Sequence, residues 1–206
     1  MHLSMSYQPD HTRLLKSIAG IGDPGHVPML ELSIDPEIIS AVLEEPFISL
    51  DDQDEHPELS VKAAEQRLRF WHQMGYDAIC EGPSLLFPGT LDLSAEDTAH
   101  TGREQRRWMN ESTGVISSWE DFERYPWPDP ASFSYHSIEY AAQNLPEGMG
   151  IAARAAGVME TGMYLLGHES LAIALYMQPD LVKAVFQRAG EILLDVIRSL
   201  VQFDHV

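Results

Sequence analysis

The sequence predicts an α/β fold built on a parallel sheet. Short apolar runs suited to buried strands alternate with stretches of helical periodicity along the 206 residues. The connectors, roughly 10–25 residues each, suit crossover helices better than hairpin turns, and that order favours right-handed βαβ units. Proline and glycine punctuate the boundaries where each pattern changes.

Residues 1–26 read as a separate lead-in, with a short helix over Asp10–Ala19 and then the breaker cluster Gly20-Ile21-Gly22-Asp23-Pro24-Gly25. Val27–Ile34 is an apolar run expected as the first strand, its proline tolerable near the start. Asp35-Pro36 places an N-cap acceptor before proline at N1, so a helix carrying Ile38, Ile39, Val42 and Leu43 follows and stops at Pro46. Residues 47–57 form an acidic, solvated loop without the ligand spacing and turn glycine of a calcium loop. Val61, Ala64, Leu68 and Trp71 recur at helical spacing in Pro57–Met74, and Gly75 supplies its C′ position.

Tyr76–Glu81 is the second expected strand. The stretch 82–118 is loop-like, with room for a hairpin from Gly102 to Ser117. A short helix over Trp119–Arg124 ends at Pro126, Pro128 and Pro130. Tyr135–Asn144 is helical, Gly148–Ala156 is the third strand, and helix signals return at 167–177. The strongest helical pattern runs from Pro179 to about Gln202, with Leu181, Val185, Ala189, Ile192 and Val196 on one broad face. Phe203–Val206 reads as the start of a fourth strand. A chain ending inside an apolar run, with three strands and a stub, predicts a sheet whose second half is missing, prone to aggregate or to pair with another chain.

Composition narrows function. With 32 acidic and 13 basic residues the chain carries −19, so nucleic acid and anionic membrane surfaces are not expected partners. No apolar run is long enough for a membrane span, and the first residues do not read as a secretory signal. Cys80 is the only cysteine, which excludes an internal disulfide and predicts a reducing, cytoplasmic setting.

Three segments together resemble the uroporphyrinogen decarboxylase superfamily. The first is Val27-Pro28-Met29-Leu30-Glu31-Leu32 followed by Asp35-Pro36-Glu37-Ile38-Ile39. The most specific is Ser118-Trp119-Glu120-Asp121-Phe122-Glu123-Arg124-Tyr125-Pro126-Trp127-Pro128-Asp129-Pro130. The third runs from Gly162-Met163-Tyr164 through Gly167-His168-Glu169-Ser170 to Tyr176-Met177-Gln178-Pro179-Asp180-Leu181-Val182. The resemblance covers residues 27–206 and implies a (β/α)₈ TIM-type barrel, here truncated to about its first half, with the active site at the carboxyl ends of the strands.

The resemblance leaves the reaction to be chosen. The decarboxylase holds a polyacidic porphyrinogen with arginines after its first strand, and Leu30–Asp35 here contains none. It also places an aspartate after its second strand, where this chain has Glu81 followed by Gly82-Pro83-Ser84. Methyl transfer on a small organic or corrinoid-linked substrate is therefore the leading expectation. Decarboxylation of uroporphyrinogen and a non-catalytic fragment are the alternatives. The methyltransferase branch holds zinc with His-x-Cys and a distant Cys in the barrel's second half. No metal site is assigned in this chain, and zinc and a corrinoid are expected only of a full-length protein. The expected partners are a small-molecule substrate, a corrinoid protein and, as an option, a second copy in a homodimer.

Candidate residues follow from position. Glu31 and Glu81 end apolar strands, where a carboxylate must be paired or chemically active. Arg154 lies in the third strand and is either the ion-pair partner of Glu31 or a substrate contact. Tyr164 lies near the decarboxylase's site tyrosine, and Glu160 occupies the same loop region. Glu31, Glu81 and Tyr164 are the catalytic candidates, Arg154 and Glu160 the substrate-binding ones; His168 reads as a helix start and Cys80 as a core residue.

Overall fold

A computed structural model describes residues 7–23, 25–48, 57–83, 87–96, 105–109 and 112–206, which divide into two units. One comprises Met1–Pro83, Ser134–Arg154 and Leu200–Val206; the other comprises Ser84–Phe133 and Ala155–Ser199.

The first unit is built around two short parallel strands, β1 (Ala78–Glu81) and β4 (Gly150–Ala153), in register from Ala78 opposite Gly150 to Glu81 opposite Ala153. Every residue of β1 is buried. The helices α1 (His11–Ala19), α2 (Pro36–Leu43), α3 (Pro57–Met74) and α5 (His136–Asn144) belong to this unit. The periodicity of α3 explains its packing: Ala63, Ala64, Leu68 and Trp71 are buried along one stripe, and α5 answers with Ile138 and Ala141.

The second unit holds an antiparallel hairpin and a helical core. Strands β2 (Leu91–Glu96) and β3 (Gln105–Met109) form the hairpin, with an irregularity between Leu91 and Leu93. It begins well before the Gly102–Ser117 stretch expected from sequence; residues 102–104 lie outside the described residues. The short α4 (Trp119–Arg124) is capped reciprocally. Ser118 Oγ accepts the Asp121 N–H at 3.2 Å, and the Asp121 carboxylate accepts the Ser117 N–H and hydroxyl at 2.9 and 2.7 Å. The core forms where α6 (Val158–Leu166), α7 (His168–Met177) and α8 (Pro179–Leu200) bury Leu165, Leu166, Leu171, Val185, Ile192 and Leu193 together.

This architecture corrects the expected (β/α)₈ barrel. The described residues are mostly helical, with one two-stranded parallel sheet and one separate two-stranded hairpin, so neither a barrel nor its first half is present. Of the four expected parallel strands, only those at 78–81 and 150–153 form and pair. Residues 27–34 adopt no strand: Pro28 offers no N–H, and the Met29 N–H is taken by the Asp77 side chain instead of a backbone carbonyl. Most of their apolar side chains are exposed, Val27 at 80%, while Pro28 and Ile34 are half-buried. Residues 204–206 give one bond, from the Ile151 N–H to the His205 carbonyl at 3.0 Å. The left-handed backbone at His205 (φ 69°) prevents an extended strand there. Residues 49–56 of the expected acidic loop lie outside the described residues.

Candidate functional site

The carboxyl end of β1 and β4 is where the first unit gathers its sequence-predicted charged residues. Glu81 closes β1 and is only 3% exposed. Its carboxylate is held by the Arg67 guanidinium of α3, Nε to Oε1 and Nη2 to Oε2 at 3.1 Å, in a two-pronged ion pair. A carboxylate this deep requires such a partner.

Arg154 follows β4 directly, and its N–H donates to the Glu81 carbonyl at 2.8 Å, extending the strand pairing by one bond. Gly82 permits this approach, because a Cβ there would lie 2.2 Å from the Arg154 carbonyl oxygen. The Arg154 side chain is exposed, and it makes no ion pair among the described residues. Cys80 precedes Glu81 on β1. Burial pushes its thiol up, with Arg154 opposing and Glu81 reinforcing the shift, so it has no activated thiolate.

The remaining candidates are elsewhere. Glu31 is half-buried and accepts the N–H of Leu32 at 3.0 Å. Its charge acts on Tyr76, ahead of β1, adding to burial in raising that hydroxyl's pKa. The expected Glu31–Arg154 pair is not formed, and of the three residues expected to converge only Glu81 and Arg154 share the carboxyl end. Tyr164 and Glu160 belong to the second unit, one turn apart on α6, with the Tyr164 hydroxyl donating to Glu160 Oε1 at 3.0 Å. His168 is the exposed first residue of α7.

Sequence reading missed Arg67, although a signal was present. Positions 60, 63, 64, 67, 68 and 71 share one helical stripe, and an arginine within an apolar stripe announces a buried acid. Among the described residues no group of three or more His, Cys, Asp or Glu side chains is placed to hold a metal ion. The zinc expected of a full-length protein thus has no donor set there. No described helix is long and apolar enough to cross a membrane.

Compared with known proteins, the chain matches no family model, no curated protein and no solved structure.

Proposed function

We propose that the chain serves a small-molecule enzyme of the uroporphyrinogen decarboxylase-like superfamily. Methyl transfer is its reaction, and Arg154 holds an anionic group of the substrate. The observation that carries this reading is the exposed Arg154 guanidinium, rooted at the carboxyl end of a parallel strand pair. Ligands of parallel α/β architectures gather at that end, where successive loops meet. Glu81 does not neutralise Arg154, because Arg67 already engages both of its oxygens.

The three sequence segments support the superfamily, and the lack of arginine over Leu30–Asp35 and of an aspartate in Gly82-Pro83-Ser84 after Glu81 favours methyl transfer over decarboxylation. Zinc, a corrinoid and a corrinoid-carrying protein are what that chemistry calls for; no residue of this chain is assigned to them and no step is derived through them. A reducing, cytoplasmic setting belongs to the same proposal and rests on the single, buried Cys80.

One observation favours the non-catalytic alternative: neither Glu31 nor Glu81 stands at the carboxyl end as an unengaged acid. A single experiment separates the readings. The protein is purified together with the zinc and corrinoid partner it retains and incubated with methylcobalamin and a thiol, and loss of the methyl–cobalt absorbance is followed. Turnover that falls at least tenfold in Arg154→Ala and is partly retained in Arg154→Lys supports the proposal. Demethylation no faster than buffer, or equal in both variants, refutes it. Consumption of uroporphyrinogen instead would establish the decarboxylase alternative.

A further inference from the structure

At the opposite, amino end of β1, Asp77 is completely buried, with 0% exposure, and ties three separate stretches of chain together. Its Oδ1 accepts the Tyr7 hydroxyl at 2.6 Å and the Asp10 N–H at 2.9 Å, while Oδ2 accepts the Met29 N–H at 2.9 Å. Its own backbone completes the knot: the N–H donates to the Met29 carbonyl, and the carbonyl accepts from Gly150, both at 3.0 Å. Arg13 Nη1 donates to the Tyr7 oxygen at 2.9 Å and lies 3.6 Å from Oδ1, offsetting the buried charge. Burial and the Asp77 carboxylate push the Tyr7 hydroxyl up to about 12, so it remains a donor at ordinary pH.

The rest of the N-terminal arm has little else to hold it. No residue of α1 is buried, and Leu15, Ile18 and Ile21 stand exposed, Ile18 at 75%. Val27 and Leu32 are exposed as well. Among the described residues the further anchors are few: the His11 N–H to the Gly148 carbonyl at 2.8 Å, the His11 side chain against Gly150, and the buried Pro9. Between α1 and Met29 lie Gly20, Gly22 and Gly25, all with positive φ and open space around them, which gives the chain a pivot. Many polar bonds at one end, little apolar burial and a glycine pivot together describe an element of low local stability that opens as a unit.

We propose that residues 7–23 and 25–34 form a strap that detaches from and redocks onto the amino end of β1 as one cooperative piece, with Asp77 as its clasp. The strap carries Glu31, so on the functional reading above its opening displaces that carboxylate. The strap itself does not depend on that reading, because its test involves no turnover.

Amide hydrogen exchange on the intact chain decides it. In the wild type, the Asp10 and Met29 amides should share one opening equilibrium, clearly more frequent than that of the Arg154 amide, which bonds across the strand pair. Asp77→Asn removes the charge from these bonds at nearly constant shape. It should raise exchange at Asp10 and Met29 together by about tenfold to a hundredfold, leaving Arg154 protected. Different openings for Asp10 and Met29 in the wild type, or openings equal to that of Arg154, would overturn the strap, and the wild-type measurement alone suffices if the variant does not fold.

Discussion

Arg67 and Glu81 form a pair whose value depends on both members being present. With Glu81 buried and its two oxygens engaged by one guanidinium, removing Arg67 leaves an uncompensated carboxylate in a dry site. Arg67→Met should therefore lower stability by about 3–5 kcal/mol in urea unfolding. Adding Glu81→Leu to that variant should recover more than half of the loss, because two apolar residues no longer bury a lone charge. A cost under about 1 kcal/mol for Arg67→Met would mean that water reaches the pair and screens it. Part of this site was legible in the sequence: an acid ending the apolar run Ala78-Ile79-Cys80 had to be paired or chemically active, and Glu81 is paired. Its partner Arg67 was overlooked although it lies within the buried stripe of α3, because only the apolar positions of that helix were read. Arg154, expected from sequence as the ion-pair partner of Glu31, bonds instead to the Glu81 carbonyl through its backbone N–H.

At the scale of elements, helix ends were the most legible features, since their signals are local. Pro36 begins α2, Pro57 begins α3 and Pro179 begins α8 as the sequence indicates, whereas Asp35, expected as the N-cap acceptor of α2, makes no side-chain cap bond. The run at 27–34 was misread because an apolar run records hydrophobicity and says nothing of whether a neighbour will cover it. Two outcomes are expected here. The bonds from Ser117 and Ser118 hold the Asp121 carboxyl at about 2, below its ordinary 3.8. A depressed folded pKa contributes stability above the unfolded value and loses it as pH falls through the folded one. The cap of α4 should therefore stay fully in place at pH 5 and weaken as pH falls from about 4 to about 2. Carbon-13 titration of the Asp121 carboxyl should show this, and Ser117→Ala should move its midpoint back toward 3.8. In α6, a Cβ on Gly162 would lie 2.4 Å from the Phe186 ring. Gly162→Ala should then destabilise by about 1–3 kcal/mol, despite the roughly 1 kcal/mol that alanine contributes in a helix interior. Phe186→Leu added to that variant should restore part of the loss. A stabilised Gly162→Ala would show that the ring moves aside without cost.

At the scale of the whole molecule, charge and exposed apolar surface act against each other. The alternation of strand-like and helix-like stretches that suggested a barrel is shared by any chain in which helices flank a small parallel pair, so it could not fix the number of strands. Composition is a safer guide at this scale. Thirty-two acidic residues against 13 basic ones leave 19 negative charges repelling one another across the folded chain. Much apolar surface is also uncovered: on α7, Ile173, Leu175 and Met177 are exposed and Tyr176 is 88% exposed. Salt should therefore have two effects of opposite consequence. Raising ionic strength from about 0.02 to about 0.5 M shortens the screening length from roughly 20 Å to under 5 Å and relieves the self-repulsion. The melting temperature should rise by about 2–5 °C. The same screening removes the barrier between molecules, so light scattering should increase over that range, as it should when pH is lowered at constant salt toward the isoelectric point of about 4.6. Replacing Tyr176 and Met177 with lysine and glutamate leaves the net charge at −19 while removing the most exposed part of the patch. That variant should keep the salt-dependent rise in melting temperature and lose much of the scattering. If scattering is unchanged, association runs through another surface, and if the melting temperature falls with salt, attractive ion pairs outweigh repulsion in holding the fold.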